Sequence, residues 1–183
     1  MDSNKSKSAI GRSLEDIWRF SDKELEWSHD YIQVLFPLPE FSAFNFSAPH
    51  IDRSTRDDFL AEGTLREHLF RSFQRMAAFY GFDASEDHGE IRVEAKPDFT
   101  SLARRNWLKR FDHNHLRISR IIRSLRVLGL EPVATAFHQA LVQNAAGVSD
   151  RSLMYWDRAA RRPLHLAPDD DDETAEGIDF LRD

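Results

Sequence analysis

The apolar positions of this chain recur mostly at helical spacing. Between His113 and Glu131 they fall three or four residues apart, which is the period of a helix with one buried face. The same period, read together with start and stop residues, predicts further helices. They are expected at 22–36, 52–61, 64–80, 99–108, 114–128, 131–147 and 149–160. The pattern predicts an all-α protein, an irregular multi-helix bundle with disordered ends.

Proline and glycine set the predicted ends of several helices. Pro37 ends the helix before it, because proline lacks the backbone N–H and restricts the preceding residue. Gly81 is a natural C-terminal stop for the helix that precedes it. Residues 83–98 are acidic and contain both glycine and proline. We expect them to form a long loop with one strand-like turn near Ile91 and Val93.

Composition divides the chain into three predicted segments. They are a flexible leader at 1–13, a helical domain at 14–166 and an acidic disordered tail at 167–183. The two end segments are polar and have too little apolar content to pack. An irregular loop after the first predicted helix carries three aromatic side chains that we expect to pin it against the domain. They are Phe41, Phe44 and Phe46.

Size and composition limit the functions that the chain can have. Its 183 residues suit one domain, and the absence of cysteine removes disulfides, thiolate metal sites and cysteine nucleophiles. The polar start MDSNKSKSAIGRS lacks the apolar region of a secretory signal. The sequence contains no run of about 18 apolar residues, so no segment could span a bilayer as a helix. We therefore expect a cytoplasmic or nuclear protein that is neither secreted nor a transmembrane receptor.

The net charge of −6 hides an asymmetry along the chain. The tail after Pro168 is strongly acidic, while 99–126 holds eight basic residues against the single acid Asp112. The basic residues are Arg104, Arg105, Lys109, Arg110, Arg117, Arg120, Arg123 and Arg126. Such a stretch could bind the phosphates of a nucleic acid. The overall pI of about 5.7 and the scarcity of interleaved aromatic residues make this the weaker alternative.

Familiar catalytic and cofactor motifs do not occur in the sequence. There is no Gly-rich phosphate loop, no G-x-S-x-G elbow and no H-E-x-x-H pair, so we expect neither an enzyme nor a cofactor. The triplet His113–Asn114–His115 shares letters with HNH nucleases, but neighbouring helical positions point about 100° apart. We expect Asp112 or Asn114 to cap the helix and one histidine to pack beside Trp107. A metal site at the two histidines is the third alternative.

Two strings of the sequence resemble the N-terminal domain of the opioid growth factor receptor family. They are HDYIQVLFPL at 29–38 and HNHLRISRIIRSLRVLGLE at 113–131. The resemblance extends from about Leu25 to Met154. Shorter blocks that also resemble the family are Asn45 with Ala48 and Pro49, Phe79–Tyr80–Gly81, and Asn106–Trp107. Agreement at several ordered blocks is much more specific than agreement at one.

The resemblance implies a function that the residues alone do not. Similar animal proteins are described as receptors for the opioid growth factor, the pentapeptide Met-enkephalin, and as acting at the nucleus. It therefore implies a non-enzymatic, receptor-like domain that recognises a peptide or protein segment, with an enkephalin-like peptide implied by resemblance alone. Val34 stands where animal members tend to have Trp, and their long repeat-bearing C-terminal region is missing. These differences indicate a microbial or fungal relative.

The candidate ligand-binding residues lie in or beside the two strings. They are Tyr31, Gln33, Trp107, His113, Asn114, Arg117 and Arg120. The apolar stripe of the first string is typical of a core face, although an aromatic cleft flanked by arginines would suit a peptide. Polar side chains that reach solvent beside such a cleft would indicate a ligand site. Side chains that are buried and bonded internally would instead be fold determinants.

Overall fold

The computed structural model describes residues 11–40 and 49–182. The first ten residues of the predicted leader lie outside these ranges. The same holds for the predicted aromatic loop and for part of one block of the family resemblance. The residues concerned are Phe41, Phe44, Asn45, Phe46 and Ala48.

The described residues form nine α-helices and one two-stranded antiparallel sheet. The helices are α1 (Leu14–Trp18), α2 (Asp22–Trp27), α3 (Tyr31–Leu35), α4 (Arg53–Ala61), α5 (Gly63–Tyr80), α6 (Phe99–Asn106), α7 (Asn114–Val127), α8 (Glu131–Gln143) and α9 (Asp150–Arg161). The strands are β1 (Phe82–Asp87) and β2 (Glu90–Ala95), and a 3-10 turn spans Asp179–Leu181. Within these ranges no helix is both long enough and apolar enough to cross a membrane.

A β-hairpin replaces the long loop predicted at 83–98, so the fold is mostly helical and the strictly all-α prediction is wrong. His88 (φ 50°) and Gly89 (φ 84°) form the two-residue turn between β1 and β2. Such turns match the right-handed twist of the paired strands. Ile91 and Val93 pack against the core from one face of the hairpin. The sequence of β1, FDASED, is poor in strand-forming residues, which concealed its alternation.

The predicted helix at 22–36 is in fact two short helices, α2 and α3. Ser28 has an extended backbone, with φ −86° and ψ 143°, and this ends α2. The Ser28 carbonyl accepts a hydrogen bond from Arg117 of α7 at 2.8 Å. Hydrophobic period alone cannot reveal such a break, because Leu25 of α2 and the buried residues of α3 keep a helix-like spacing across it.

The central helix and its stop agree closely with the sequence. The predicted helix 114–128 is confirmed as α7, and Gly129 follows it with φ 88°. Gly81 likewise follows α5 with φ 97°, and its N–H bonds back to the carbonyls of the last turn. The next helix, α8, ends at Gln143, before the predicted end at Gly147.

Aromatic side chains form the centre of a single hydrophobic core. Phe137 of α8 contacts Phe73 at a ring-centroid distance of 5.1 Å and Phe82 at 6.2 Å. Trp107, which follows α6, contacts Trp156 of α9 at 5.7 Å. All five side chains are fully buried. They join α5, α8, α9 and the start of the hairpin around α7.

The acidic tail follows a defined path, which differs from its predicted disorder. Residues 165–182, here called the strap, fold back on themselves: the Gly177 N–H donates to His165 O at 2.8 Å and the Ala167 N–H to Ala175 O at 2.9 Å. Leu181 is buried in the core, while Ile178 and Phe180 pack against it. These apolar residues close to the end supply the burial that the preceding acidic run lacks.

Candidate functional site

Helix α7 carries three of the seven candidate ligand-binding residues, and a fourth, His113, lies immediately before it. Its start is fixed by Asp112, whose Oδ1 accepts a hydrogen bond from the Asn114 N–H at 2.9 Å. The N-cap position is held by His113, whose side chain makes no capping bond, so the role expected of Asp112 or Asn114 is met only by this bond, which Asp112 accepts from the first N–H of the helix. Asn114 itself is buried, and its Nδ2 donates to Asn106 O at 2.9 Å and to Glu26 Oε2 at 3.2 Å. This side chain connects α7 to α6 and α2 and does not face solvent.

The guanidinium of Arg117 is buried against the first sequence string. It donates to the carbonyl oxygens of Leu25 at 3.0 Å and Ser28 at 2.8 Å, and to Asn114 Oδ1 at 3.1 Å. It also lies 5.5 Å from the ring centroid of Tyr31, which is itself fully buried. Burial raises the pKa of Tyr31 to about 12, although the nearby Arg117 charge acts to lower it.

Further along α7, two more side chains bind the backbone of the same string. Arg120 Nη1 donates to Phe36 O at 3.1 Å, and Ser124 Oγ donates to Pro37 O at 2.8 Å. Burial lowers the pKa of the Arg120 guanidinium, and the nearby Glu40 charge acts to raise it. One face of α7 therefore supplies hydrogen-bond donors to carbonyl oxygens that the short helices leave unpaired.

The last two arginines of the helix are also used internally. Arg123 pairs with Glu40 and donates to Leu164 O at 3.0 Å. Arg126 donates to Ala159 O and Arg162 O, each at 2.9 Å, and so binds the C-terminal carbonyls of α9. Arg117, Arg120, Arg123 and Arg126 are the four residues of the basic stretch that lie on α7. All four bind protein groups, and the nucleic-acid alternative gains no support.

Trp107 and His115 form a second buried unit beneath α7. Trp107 Nε1 donates to Tyr80 O at 2.9 Å, and Trp107 O lies 2.7 Å from His115 Nε2. Because a carbonyl oxygen only accepts, His115 Nε2 donates to Trp107 O, and Nδ1 lies 2.8 Å from Ser152 Oγ. The prediction that one histidine would pack beside Trp107 is confirmed. Both ring nitrogens of His115 are thereby occupied.

His113 and Gln33 are the candidates that keep access to solvent. His113 is half-exposed, with Nε2 3.4 Å from Glu26 Oε1 and Nδ1 3.5 Å from Asp112 Oδ1. Gln33 is partly buried on α3. Within residues 11–40 and 49–182, no three His, Asp or Glu side chains are grouped as a metal site would require. Tyr31, Trp107, Asn114 and Arg117 are buried inside the domain, and Arg120 is partly buried, as Gln33 is.

An exposed apolar surface that the sequence analysis missed lies at the start of α7. Trp27 is 67% exposed, Phe111 66% and Leu116 74%. The contacts of Glu26 with His113 and of Ser28 with Arg117 place Trp27 beside the first turn of α7. We call Trp27, Phe111, His113 and Leu116 the Trp27 patch. The hydrophobic period counted Leu116 as core, although it lies on the same side of α7 as His113 and Arg120.

Four exposed basic residues lie next to this patch along the chain. They are Arg104, Arg105, Lys109 and Arg110. Lys109 forms an ion pair with Asp112 at 3.1 Å, and the Arg110 guanidinium lies 5.5 Å from the Phe111 ring centroid. The surface therefore combines apolar side chains with unburied positive charge.

Comparison with known proteins identifies relatives over most of the chain. The opioid growth factor receptor conserved region matches residues 6–163. The opioid growth factor receptor of Rattus norvegicus is 39% identical over 124 residues, which cover 66% of this chain and 21% of the relative. The same receptor of Homo sapiens is 34% identical over 166 residues, with coverages of 82% and 23%.

A second group of relatives carries a related name. Opioid growth factor receptor-like protein 1 of Mus musculus is 30% identical over 164 residues, which cover 80% of this chain and 33% of the relative. The chain thus spans a third or less of the length of these three relatives. No solved structure matches it. Since the conserved region covers most of the sequence, the chain belongs to the opioid growth factor receptor family.

Proposed function

We propose that this chain is a non-enzymatic, receptor-like binding domain that recognises a peptide or protein segment through the Trp27 patch. The family supports the binding class, since its relatives are named as receptors. The buried arginines of α7 support the location. These arginines already donate hydrogen bonds to carbonyl oxygens of the domain, so recognition has to use other side chains.

The observation that carries the proposal is the exposure of three large apolar side chains on segments that meet near the start of α7. Trp27, Phe111 and Leu116 are three of the five large hydrophobic residues that the described chain leaves exposed. Isolated exposed apolar residues are ordinary, but a group of them marks an interaction surface. Tryptophan is also among the residues that contribute most to binding energy at interfaces.

The charge beside the patch defines the kind of segment that would fit. Arg110 is an exposed cation next to Phe111, and Arg104 and Arg105 are exposed cations on the preceding helix, α6. An acidic segment with an aromatic or aliphatic anchor complements both features: the anchor covers the apolar side chains and the acids face the cations. A short opioid peptide, as the relatives' names suggest, offers aromatic anchors and a terminal carboxylate, so it belongs in the first set of probes.

A charge substitution in the patch tests the proposal directly. Leu116→Glu places a carboxylate at the centre of the apolar surface without disturbing a buried contact, because Leu116 faces solvent. Fluorescence anisotropy with a library of labelled acidic peptides, and with labelled Met-enkephalin beside them, measures the dissociation constants. We expect Leu116→Glu to weaken the best ligand of the unmodified protein by about 30-fold, the loss typical of a central interface residue.

The matched control is Val142→Glu, which makes the same charge change at an exposed apolar side chain of α8. It should leave the affinity unchanged. Equal losses in the two variants would show a nonspecific charge effect and contradict the assignment to the Trp27 patch. If no peptide binds the unmodified protein, the recognition function itself is contradicted.

A further inference from the structure

The strap is held on the domain by two kinds of contact. Its apolar end, Ile178 with Phe180 and Leu181, packs into the hydrophobic core, and the Arg53 guanidinium lies 6.0 Å from the Phe180 ring centroid. Its acidic turn lies against the C-terminal half of α9, where Arg158 contacts Asp171 Oδ1 at 3.2 Å. The strap therefore consists of an acidic segment followed by an apolar anchor.

Arg162, at the end of α9, binds the strap incompletely. It is only 8% exposed, and its Nη1 donates to the backbone oxygens of Ala167 at 2.6 Å and Asp170 at 2.8 Å. Its Nη2 is buried without a hydrogen-bond partner among the described residues, and no carboxylate there forms an ion pair with it. The buried charge of this guanidinium is bonded only to neutral carbonyl oxygens. Hydrogen bonds to a carboxylate are stronger, so a carboxylate would stabilise the charge better.

Space beside the acidic turn continues the same surface. An open groove of about 500 Å³ is lined by Asp150, Arg151, Met154, Tyr155 and Asp171. Two guanidinium groups flank its aromatic wall, since Arg151 and Arg158 lie 5.8 and 5.6 Å from the Tyr155 ring centroid. A longer or differently placed acidic segment would find further cations and an aromatic face there.

The strap is also separate from the helical domain in sequence. The conserved region of the family ends at residue 163, and all nine described helices end before the strap begins. It contributes a single buried side chain, Leu181, to the core. The strap is therefore an added layer that covers a surface formed by α9 and its neighbours.

We propose that this surface is a docking site for an acidic protein segment that ends in an aromatic–leucine anchor, and that the strap occupies it as an internal pseudo-ligand. A partner segment with a carboxylate placed on Arg162 displaces the strap. The site is distinct from the Trp27 patch and does not depend on it. Because the strap is tethered, its effective concentration is of millimolar order, so it suppresses binding of free segments.

A glycine in the strap offers a way to open the site without changing charge. A Cβ at Gly177 would lie 2.9 Å from Ala167 N and 3.0 Å from His165 O, which are backbone atoms that cannot turn aside. Gly177→Ala therefore breaks the pairing that folds the strap. Gly63→Ala is the matched control, because a Cβ there meets nothing within 4 Å. Leu181→Asp is a second opening variant, which removes the apolar anchor instead.

The experiment measures binding of a labelled synthetic peptide with the sequence of residues 167–182 to the full chain by fluorescence anisotropy. We expect Gly177→Ala and Leu181→Asp to bind it at least tenfold more tightly than the unmodified chain or Gly63→Ala. A peptide with Asp in place of Leu181 should not bind. Equal affinity in the opened and unopened chains would overturn the proposal, and Leu116→Glu should leave this binding unchanged.

A second measurement needs no variant of the protein. Excess peptide added to the unmodified chain should accelerate hydrogen exchange at the amides of Ala167 and Gly177, which the folded strap protects. Binding without faster exchange would show that the peptide sits elsewhere and would overturn the proposal. Sedimentation of the Gly177→Ala chain as a dimer would also overturn it, because the occupant would then be the strap of a second copy.

Discussion

At the scale of single residues, the guanidinium of Arg117 does the most to join the two halves of the chain. It supplies donors to two main-chain oxygens near the end of α2, at Leu25 and Ser28, that no helix of their own can satisfy. Arg120 repeats the arrangement one turn later with Phe36 O.

Arg117→Met tests this role, since methionine keeps most of the aliphatic part of the side chain and removes every donor. We expect the free energy of unfolding to fall by about 3 to 5 kcal/mol, because several buried acceptors lose their partner together. Urea unfolding followed by circular dichroism measures the change. Arg104→Met, at an exposed position on α6, is the control and should change stability by less than about 0.5 kcal/mol. Similar losses in the two variants would contradict a structural role for Arg117.

Tyr31 gives a prediction for alkaline pH. The unfolded chain releases the phenolic proton near pH 10, whereas burial raises the folded-state pKa to about 12. The stabilising contribution is therefore complete below pH 10 and is lost as the pH rises toward 12, by about 2 to 3 kcal/mol in all. We expect Tyr31→Phe to reduce the slope of unfolding free energy against pH in that window. An unchanged slope between pH 10 and 12 would contradict the assignment.

The residue-level roles could be predicted only in part. The sequence placed Asp112 or Asn114 at the start of the helix and Trp107 in the core beside a histidine, because short-range geometry decides both. It could not tell whether Arg117 faces a ligand or a carbonyl oxygen. That choice depends on a helix break at Ser28, which is 89 residues away in the chain. Leu116 was expected to be buried with the other apolar residues of α7, but it is exposed. The hydrophobic period identifies the apolar face of a helix, but not which edge of that face the neighbouring elements cover.

At the scale of elements, the junction between α5 and the hairpin depends on Gly81. Its positive φ suits glycine, and a Cβ there would lie 3.1 Å from Phe99 Cδ2 in the core. Gly147 has a similar φ of 91° but open space around it. Both Gly→Ala variants should lose about 1 to 2 kcal/mol from the backbone conformation.

The two glycines therefore separate backbone strain from packing. Gly81→Ala should lose about 1 kcal/mol more than Gly147→Ala, because the Phe99 ring has to move away from Phe82 and Trp107. Thermal or urea unfolding of the two variants side by side provides the measurement. An equal loss would show that packing at Gly81 contributes nothing beyond its φ.

Among the elements, long amphipathic helices were the predictable ones and short polar ones were not. The α7 prediction succeeded because a sustained apolar period and a terminal glycine agree. The hairpin was missed because four of the six residues of β1 are Asp, Glu or Ser, which period and propensity assign to loops. It is a strand because β2 and α5 pack beside it, which is information from outside the segment.

At the scale of the whole molecule, α7 is the central helix, and several other elements pack against it. Its donors bind α2, the segment after α3, and the end of α9, while its apolar side fills the core. The two strings that resemble the family are thus one structural unit in space. The sequence identified both strings but not their contact, because no local signal specifies a partner so far along the chain.

The basic and acidic residues that are separated along the sequence also lie on separate parts of the structure. The basic stretch predicted from the sequence splits into buried arginines on α7 and exposed cations around α6. The acidic tail meets neither group and lies instead against Arg158 and Arg162 of α9. A sum of charges along the chain therefore predicted the existence of opposed patches but not their placement.

The attachment of the N-terminal segment to α7 has a consequence for synthesis on the ribosome. Arg117 lies 92 residues after Leu25, the residue whose carbonyl it binds. At about 5 to 20 residues per second, translation needs roughly 5 to 18 s to supply that partner. Until then the nascent chain displays the apolar residues of α3 with no surface to cover them. Completion of α7 is therefore the event that removes this segment from the reach of chaperones and of aggregation.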